Sequence, residues 1–232
     1  MKTGSKIAVI SILSVIALFS VLFAAAFFES DEIGCLDPEI ADRYGWVEVN
    51  TDSAISSGIS YAAWTYMPEE RLGDMIIMTY SYPVPRWLMG DTVRELALQT
   101  AIRSVRSSYD MTFDDVERRT ERMNGGEGEV VYIDFTAKTP LTGAIVPSTG
   151  ALSSLVSVAG LNVSAVSHGK FIIALFAPAA GFRDRFVVIV SYALTKHEVY
   201  LGNNVIYHTQ EDLSTYDEMR DLVLNHVILR PA

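Results

Sequence analysis

The longest break in the alternation of apolar and polar positions lies at the start of the chain. IAVISILSVIALFSVLFAAAFF runs from Ile7 to Phe28, twenty-two residues without a charge. At about 1.5 Å per residue, a helix of that length crosses a hydrocarbon core of roughly 30 Å. Lys2 and Lys6 precede the run and Glu29-Ser30-Asp31-Glu32 follows it. That asymmetry puts the amino terminus in the cytoplasm and the remainder outside. The pattern predicts a cytoplasmic tail at 1–6, a transmembrane signal-anchor helix at 7–28, a polar juxtamembrane linker at 29–44 and an extracytoplasmic domain at 45–232. A cleaved secretory signal ending at Ala24-Ala25-Ala26 is the alternative, although such h-regions are about 7–15 residues long. The domain is extracytoplasmic on either reading.

Within the linker, Asp37-Pro38 suits the cap and first position of a short helical turn. From Gly58 the period shortens to that of strands. GISYAAWTYMP and GDMIIMTYSYP, separated by Glu69 to Leu72, form a hairpin signature that Pro83 and Pro85 end. Thr92-Val93-Arg94-Glu95 then offers a capping box. Leu98, Ala101, Ile102 and Val105 recur at helical spacing, with Arg94, Arg103 and Arg106 expected on the outer face. VERRTERM and EVVYIDFTAK flank Asn124-Gly125-Gly126 and predict a second hairpin. FIIALFA and RFVVIVSYAL read as central strands. Thr215 to Glu218 is a second capping box, opening a helix with Met219, Leu222, Val223, His226 and Val227 on one face.

Strands in hairpins with helices between and after them predict an α+β domain, an antiparallel sheet with packed helices. The order, chiefly over residues 58–138 and the last helix, resembles the Mog1/PsbP type of α/β sandwich. That group contains non-enzymatic binding and assembly proteins, so the resemblance implies a binding role rather than catalysis.

Between Lys138 and Arg183 the sole formal charge is Lys170. On a helix, Leu152, Leu155, Val156, Ala159, Val163 and Val166 form an apolar stripe. Ser153, Ser157, Gly160, Ser164 and Ser167 form a second stripe of small residues that permits close helix approach. Three readings stand. The segment is a second membrane span, a buried crossover or serine-rich loop, or a docking surface. In the last case Leu152, Leu155, Val156, Ala159 and Val163 make apolar contact, and Ser153, Ser157, Gly160 and Ser164 let the partner come close. That partner is another membrane protein, an identical chain or the outer face of the bilayer. Asn162-Val163-Ser164 is also a glycosylation sequon, and a glycan on Asn162 would oppose docking there.

Composition narrows the function. Net charge is −10, and setting aside Lys2 and Lys6 leaves 16 basic against 28 acidic residues. So acidic an outer domain argues against nucleic acid and against electrostatic docking on anionic headgroups. The lipid bilayer is met through residues 7–28. Cys35 is the only cysteine, which excludes an intramolecular disulfide and leaves an intermolecular one as the lesser option.

No G-x-S-x-G, H-E-x-x-H, C-x-x-C or phosphate-loop spacing is present, and no cofactor is implied. Asp114-Asp115 suits a solvated turn. Met75 and Met78 would face opposite sides of a strand, which suits core packing rather than a soft-metal site. His226 suits a core position. His197 to His208 reads as a hairpin in which a Gly202-Asn203 loop sets His197 opposite His208, close enough to share a divalent metal, with Asp212 as a third ligand. Two functions therefore remain open: a membrane-anchored, non-catalytic binding or accessory subunit, and an envelope enzyme or metal-binding protein using His197 and His208.

Overall fold

The computed structural model describes residues 32–56, 59–69, 73–108, 111–124, 126–137, 163–177, 183–201 and 203–231. The expected anchor helix at 7–28, residues 152–162 of the uncharged stretch and the Asn162 side chain lie outside them. Among the described residues no helix is long and apolar enough to cross a membrane.

The domain begins earlier than the sequence pattern predicts. Residues 32–44, expected to be linker, form strand β1 (Glu32–Leu36) and helix α1 (Pro38–Tyr44). Asp37 caps α1 as expected, its Oδ1 accepting from the Glu39 amide at 3.0 Å, and Gly45 closes it in the left-handed region at φ 67°. Leu36 and Ala41 are buried, so β1 and α1 belong to the core. Cys35 is buried too and burial pushes its thiol pKa up, which closes the intermolecular disulfide to the folded chain.

Eight strands build the main sheet. They are β2 (Trp46–Ser56), β3 (Ile59–Pro68), β4 (Gly73–Pro85), β5 (Met111–Met123), β6 (Gly126–Ala137), β7 (Val163–Phe176), β8 (Arg183–Leu201) and β9 (Asn204–His208). Their order is β2-β3-β4-β8-β7-β6-β5, every pair antiparallel, with β9 on the far end of β8. Strand β1 pairs instead with β10 (Val227–Pro231) in a separate two-stranded ribbon.

Strand alternation divides the core into two. Met75, Ile77, Ile172, Val187 and Ile189 face the side covered by α1, the ribbon and helix α3 (Ser214–Asn225). Phe135, Phe171, Phe186 and Val188 face the side covered by helix α2 (Arg86–Ser108). The domain is thus α+β, an antiparallel sheet between helical layers. Met75 and Met78 fall on opposite faces, as strand geometry requires.

Several expectations are corrected. Helix α2 starts at Arg86, directly after Pro85, so Thr92 lies inside it and caps nothing. Arg94, expected outside, is buried and lies 3.9 Å from Asp91. Helix α3 begins one residue before Thr215, which is buried in its first turn. Leu213 holds the N-cap position without a capping side chain, and Asp212 before it accepts from the Ser214 amide through Oδ1 at 2.9 Å. His226 sits at the end of α3 with Nε2 3.4 Å from Asp221, outside the core stripe. Asp114 and Asp115 lie on β5 at a bulge, not in a turn, and Asp114 accepts from the Thr136 hydroxyl at 2.6 Å.

The helix expected through Val163, Ser164, Val166 and Ser167 is a strand. These residues open β7 and pair with β8, from Val163 opposite Leu201 to Ser167 opposite His197. Residues of a strand alternate between faces, so the helical stripe does not continue there. Valine and serine are indifferent helix formers, so an available strand partner decides.

Candidate functional site

Helix α2 does not cover its face of the sheet evenly. Leu98, Ala101 and Val105 press onto β6, β7 and β8 and are buried. The adjacent row on the helix, Val93, Leu96, Ala97, Thr100 and Ser104, overhangs β4 and β8 without closing onto them. Between helix and sheet lies a cleft of about 430 Å³.

Register builds its floor. The cross-strand pairs Asp74 with Tyr192, Ile76 with Val190, Met78 with Val188 and Tyr80 with Phe186 succeed one another along β4 and β8. Side chains of such pairs share a face, so they lie as rungs beneath α2. From Asp74 to Tyr80 the floor is about 20 Å long at about 3.3 Å per residue. Tyr80 stacks on Phe186 with ring centroids 5.3 Å apart, and its hydroxyl is 3.7 Å from Met78 Sδ. Tyr192 leans on Phe171 at 5.4 Å and meets Phe135 edge-on at 6.5 Å, which fixes the opposite end. The cleft is open, and Leu96 on its lip is 63% exposed.

Asp74 is the sole carboxyl among the lining residues. Its Oδ1 is buried with no hydrogen-bond partner among the described residues. Burial pushes its pKa up to about 6, against the opposing effect of the Met75 amide, which donates to it. A buried acceptor left unpaired costs free energy that a ligand with a donor recovers. Among the described lining residues no nucleophile is paired with a base.

The predicted metal pair is not formed. The hairpin has the expected Leu201 to Asn204 closure, but a bulge between Val199 and Tyr200 shifts the register, and His208 lies opposite Glu198. His197 and His208 thus point to opposite faces. His197 instead bonds through its backbone to Thr209 and places Nδ1 3.0 Å from Ser167 Oγ. Asp212 is occupied with the Ser214 amide. Among the described residues no group of three metal-ligating side chains is gathered.

Ser167 and His197 resemble a nucleophile and base. Ser167 is fully enclosed, however, and burial pushes the His197 pKa down with Nε2 unpartnered among the described residues. That is the arrangement of a neutral buried histidine. A polar hollow near α3 holds Arg119, Lys170 and Arg220. Each cation has a carboxylate: Glu117 for Arg119, Asp134 for Lys170 at 2.7 Å and Glu121 for Arg220 at 3.4 Å.

Sequence reasoning missed the cleft, although a signal was present. GDMIIMTY is mostly apolar on both faces of its strand, and Asp74 is its single charged residue. Comparison of the chain with family models, curated proteins and solved structures finds no match. The geometry alone carries the functional argument.

Proposed function

We propose that this is a membrane-anchored extracytoplasmic binding protein, an accessory subunit rather than an enzyme, that holds a small apolar ligand between α2 and the β4–β8 floor. The observation that carries the reading is the cleft itself, whose size and mostly apolar lining with a few polar groups match small-molecule sites. Anchoring through residues 7–28, with the domain outside the cytoplasm, is supported by the length of that uncharged run and by the lysines before it.

The test is binding of phenylbutanol, a neutral probe short enough for the cleft, to the full-length chain in phosphatidylcholine nanodiscs, followed by ligand-observed NMR against empty nanodiscs. Saturable binding that disappears in Ala97→Trp, a substitution filling the space under α2, is the expected outcome. Absence of saturable binding, or binding indifferent to Ala97→Trp while circular dichroism shows the sheet intact, refutes the reading.

A further inference from the structure

The charge of the ligand can be read from the cleft wall, and this step rests on the binding role proposed above. We infer that the ligand is a small organic cation, an apolar body of one ring or a short alkyl chain ending in a protonated amine, whose ammonium pairs with Asp74 while the body lies along Ile76, Met78, Val188 and Val190.

Three observations support it. The floor is apolar from Ile76 to Phe186, so the body of the ligand must be apolar too. The one charged side chain among the described lining residues lies at one end of the floor, where Asp74 faces Tyr192 across the strand pair, so the ligand's charged head is at that end as well. At that end Asp74 lines the cleft, its Oδ1 has no partner among the described residues, and none of the described lining residues is cationic. A carboxylate in such surroundings accepts from an ammonium far better than from a neutral donor, because both the charge and the hydrogen bond strengthen as water is excluded. A carboxylic acid ligand would set two like charges together in a poorly solvated corner, and a hydrocarbon without a head would leave Oδ1 unpaired.

Charge complementarity commits the site to an amine. The enclosed volume of about 430 Å³ suits a compact molecule rather than a folded partner's surface. The carboxylate beside the lip of the cleft does not compete for the ligand. Glu95, one residue from Leu96 on α2, is paired bidentately with Arg118 at 3.2 and 2.7 Å and also accepts from Gln99 at 2.9 Å.

The experiment compares three probes of one shape, phenylbutylamine, phenylbutanol and phenylbutyrate, on the full-length chain in phosphatidylcholine nanodiscs at neutral pH. Dissociation constants come from ligand-observed NMR with empty nanodiscs subtracted. The amine is expected to bind about tenfold or more tightly than the alcohol, as befits a hydrogen bond to a charged group, with the butyrate weakest. In Asp74→Asn the amine's advantage over the alcohol should vanish, with circular dichroism showing that the variant keeps its sheet.

Equal binding of all three, or an advantage that survives Asp74→Asn, overturns the cation and leaves the binding role standing. Preference for the butyrate likewise overturns the cation, in favour of a fatty-acid-like ligand. Failure of all three to bind overturns both. Loss of amine binding as the chain is concentrated, matched by dimerisation in ultracentrifugation, assigns the cleft to a second copy and overturns the small-molecule ligand.

Discussion

Asp74 is a strained residue in the electrostatic sense, and its strain is measurable. Its carboxyl titrates near its ordinary value of 3.8 in the unfolded chain and at about 6 in the folded one. Between those values the folded state keeps a proton that the unfolded state has lost, so unfolding releases it and stability falls as pH rises. Urea denaturation of the protein should therefore show a midpoint that declines from pH about 4 to about 6 and then flattens. Asp74→Asn should remove that part of the slope. Gly169 makes a different demand. A β-carbon there would lie 2.6 Å from the Ala193 carbonyl oxygen and 2.5 Å from Phe135 Cζ. Gly169→Ala is expected to destabilise by about 1–3 kcal/mol or more through overpacking against backbone, read as a lower urea midpoint with unchanged m-value.

At the scale of elements, helix α2 is held over the cleft from outside by an ion network. Arg118 on β5 joins Glu95 of α2 to Glu129 of β6, and with Gln99 it draws the Glu95 carboxyl down to about 2. That group adds stability above its unfolded value of 4.5, and the contribution is lost as pH falls toward 2. The network is exposed, so Arg118→Ala should cost no more than about 1 kcal/mol, and its effect on probe affinity should shrink in high salt.

Legibility in the sequence followed the local code. The β3–β4 and β5–β6 hairpins were readable because aromatic and β-branched residues alternate between turn formers. Strand β2, WVEVNTDSAIS, was not, because an edge strand with one exposed rim can be as polar as a loop. The fourfold spacing of small and apolar residues imitated a helix as far as Val163 and Ser164, where pairing with β8 overrode it. The His197–His208 register failed on a single bulge, which no local signal announces. The cleft was illegible for another reason: it is the space left where α2 stops covering β4, a property of placement rather than of any residue pattern.

At the scale of the whole molecule, the β1–β10 ribbon brings the ends of the described domain together and fixes them to the sheet. The Gly34 amide donates to the buried Thr79 hydroxyl at 2.7 Å, and the Leu36 amide donates to the Tyr66 hydroxyl at 3.2 Å. Thr79→Val leaves a buried donor unpaired. It should destabilise the domain by about 1–3 kcal/mol, with hydrogen exchange at Gly34 rising before that of the β7–β8 pair. If residues 7–28 are the anchor, the full-length chain should stay in the membrane pellet after alkaline carbonate extraction. A version starting at residue 29 should be released to the supernatant.

The ribbon also orders events in time. Glu32 pairs with Pro231 and Leu36 with Val227, so the first described strand has no mate until residues 227–231 have been made. The hairpins close as they emerge, but Leu36 and Cys35 lack their ribbon partner until residues 227–231 follow. A nascent chain halted short of residue 227 should therefore be cut by protease near Leu36 while its central strands resist.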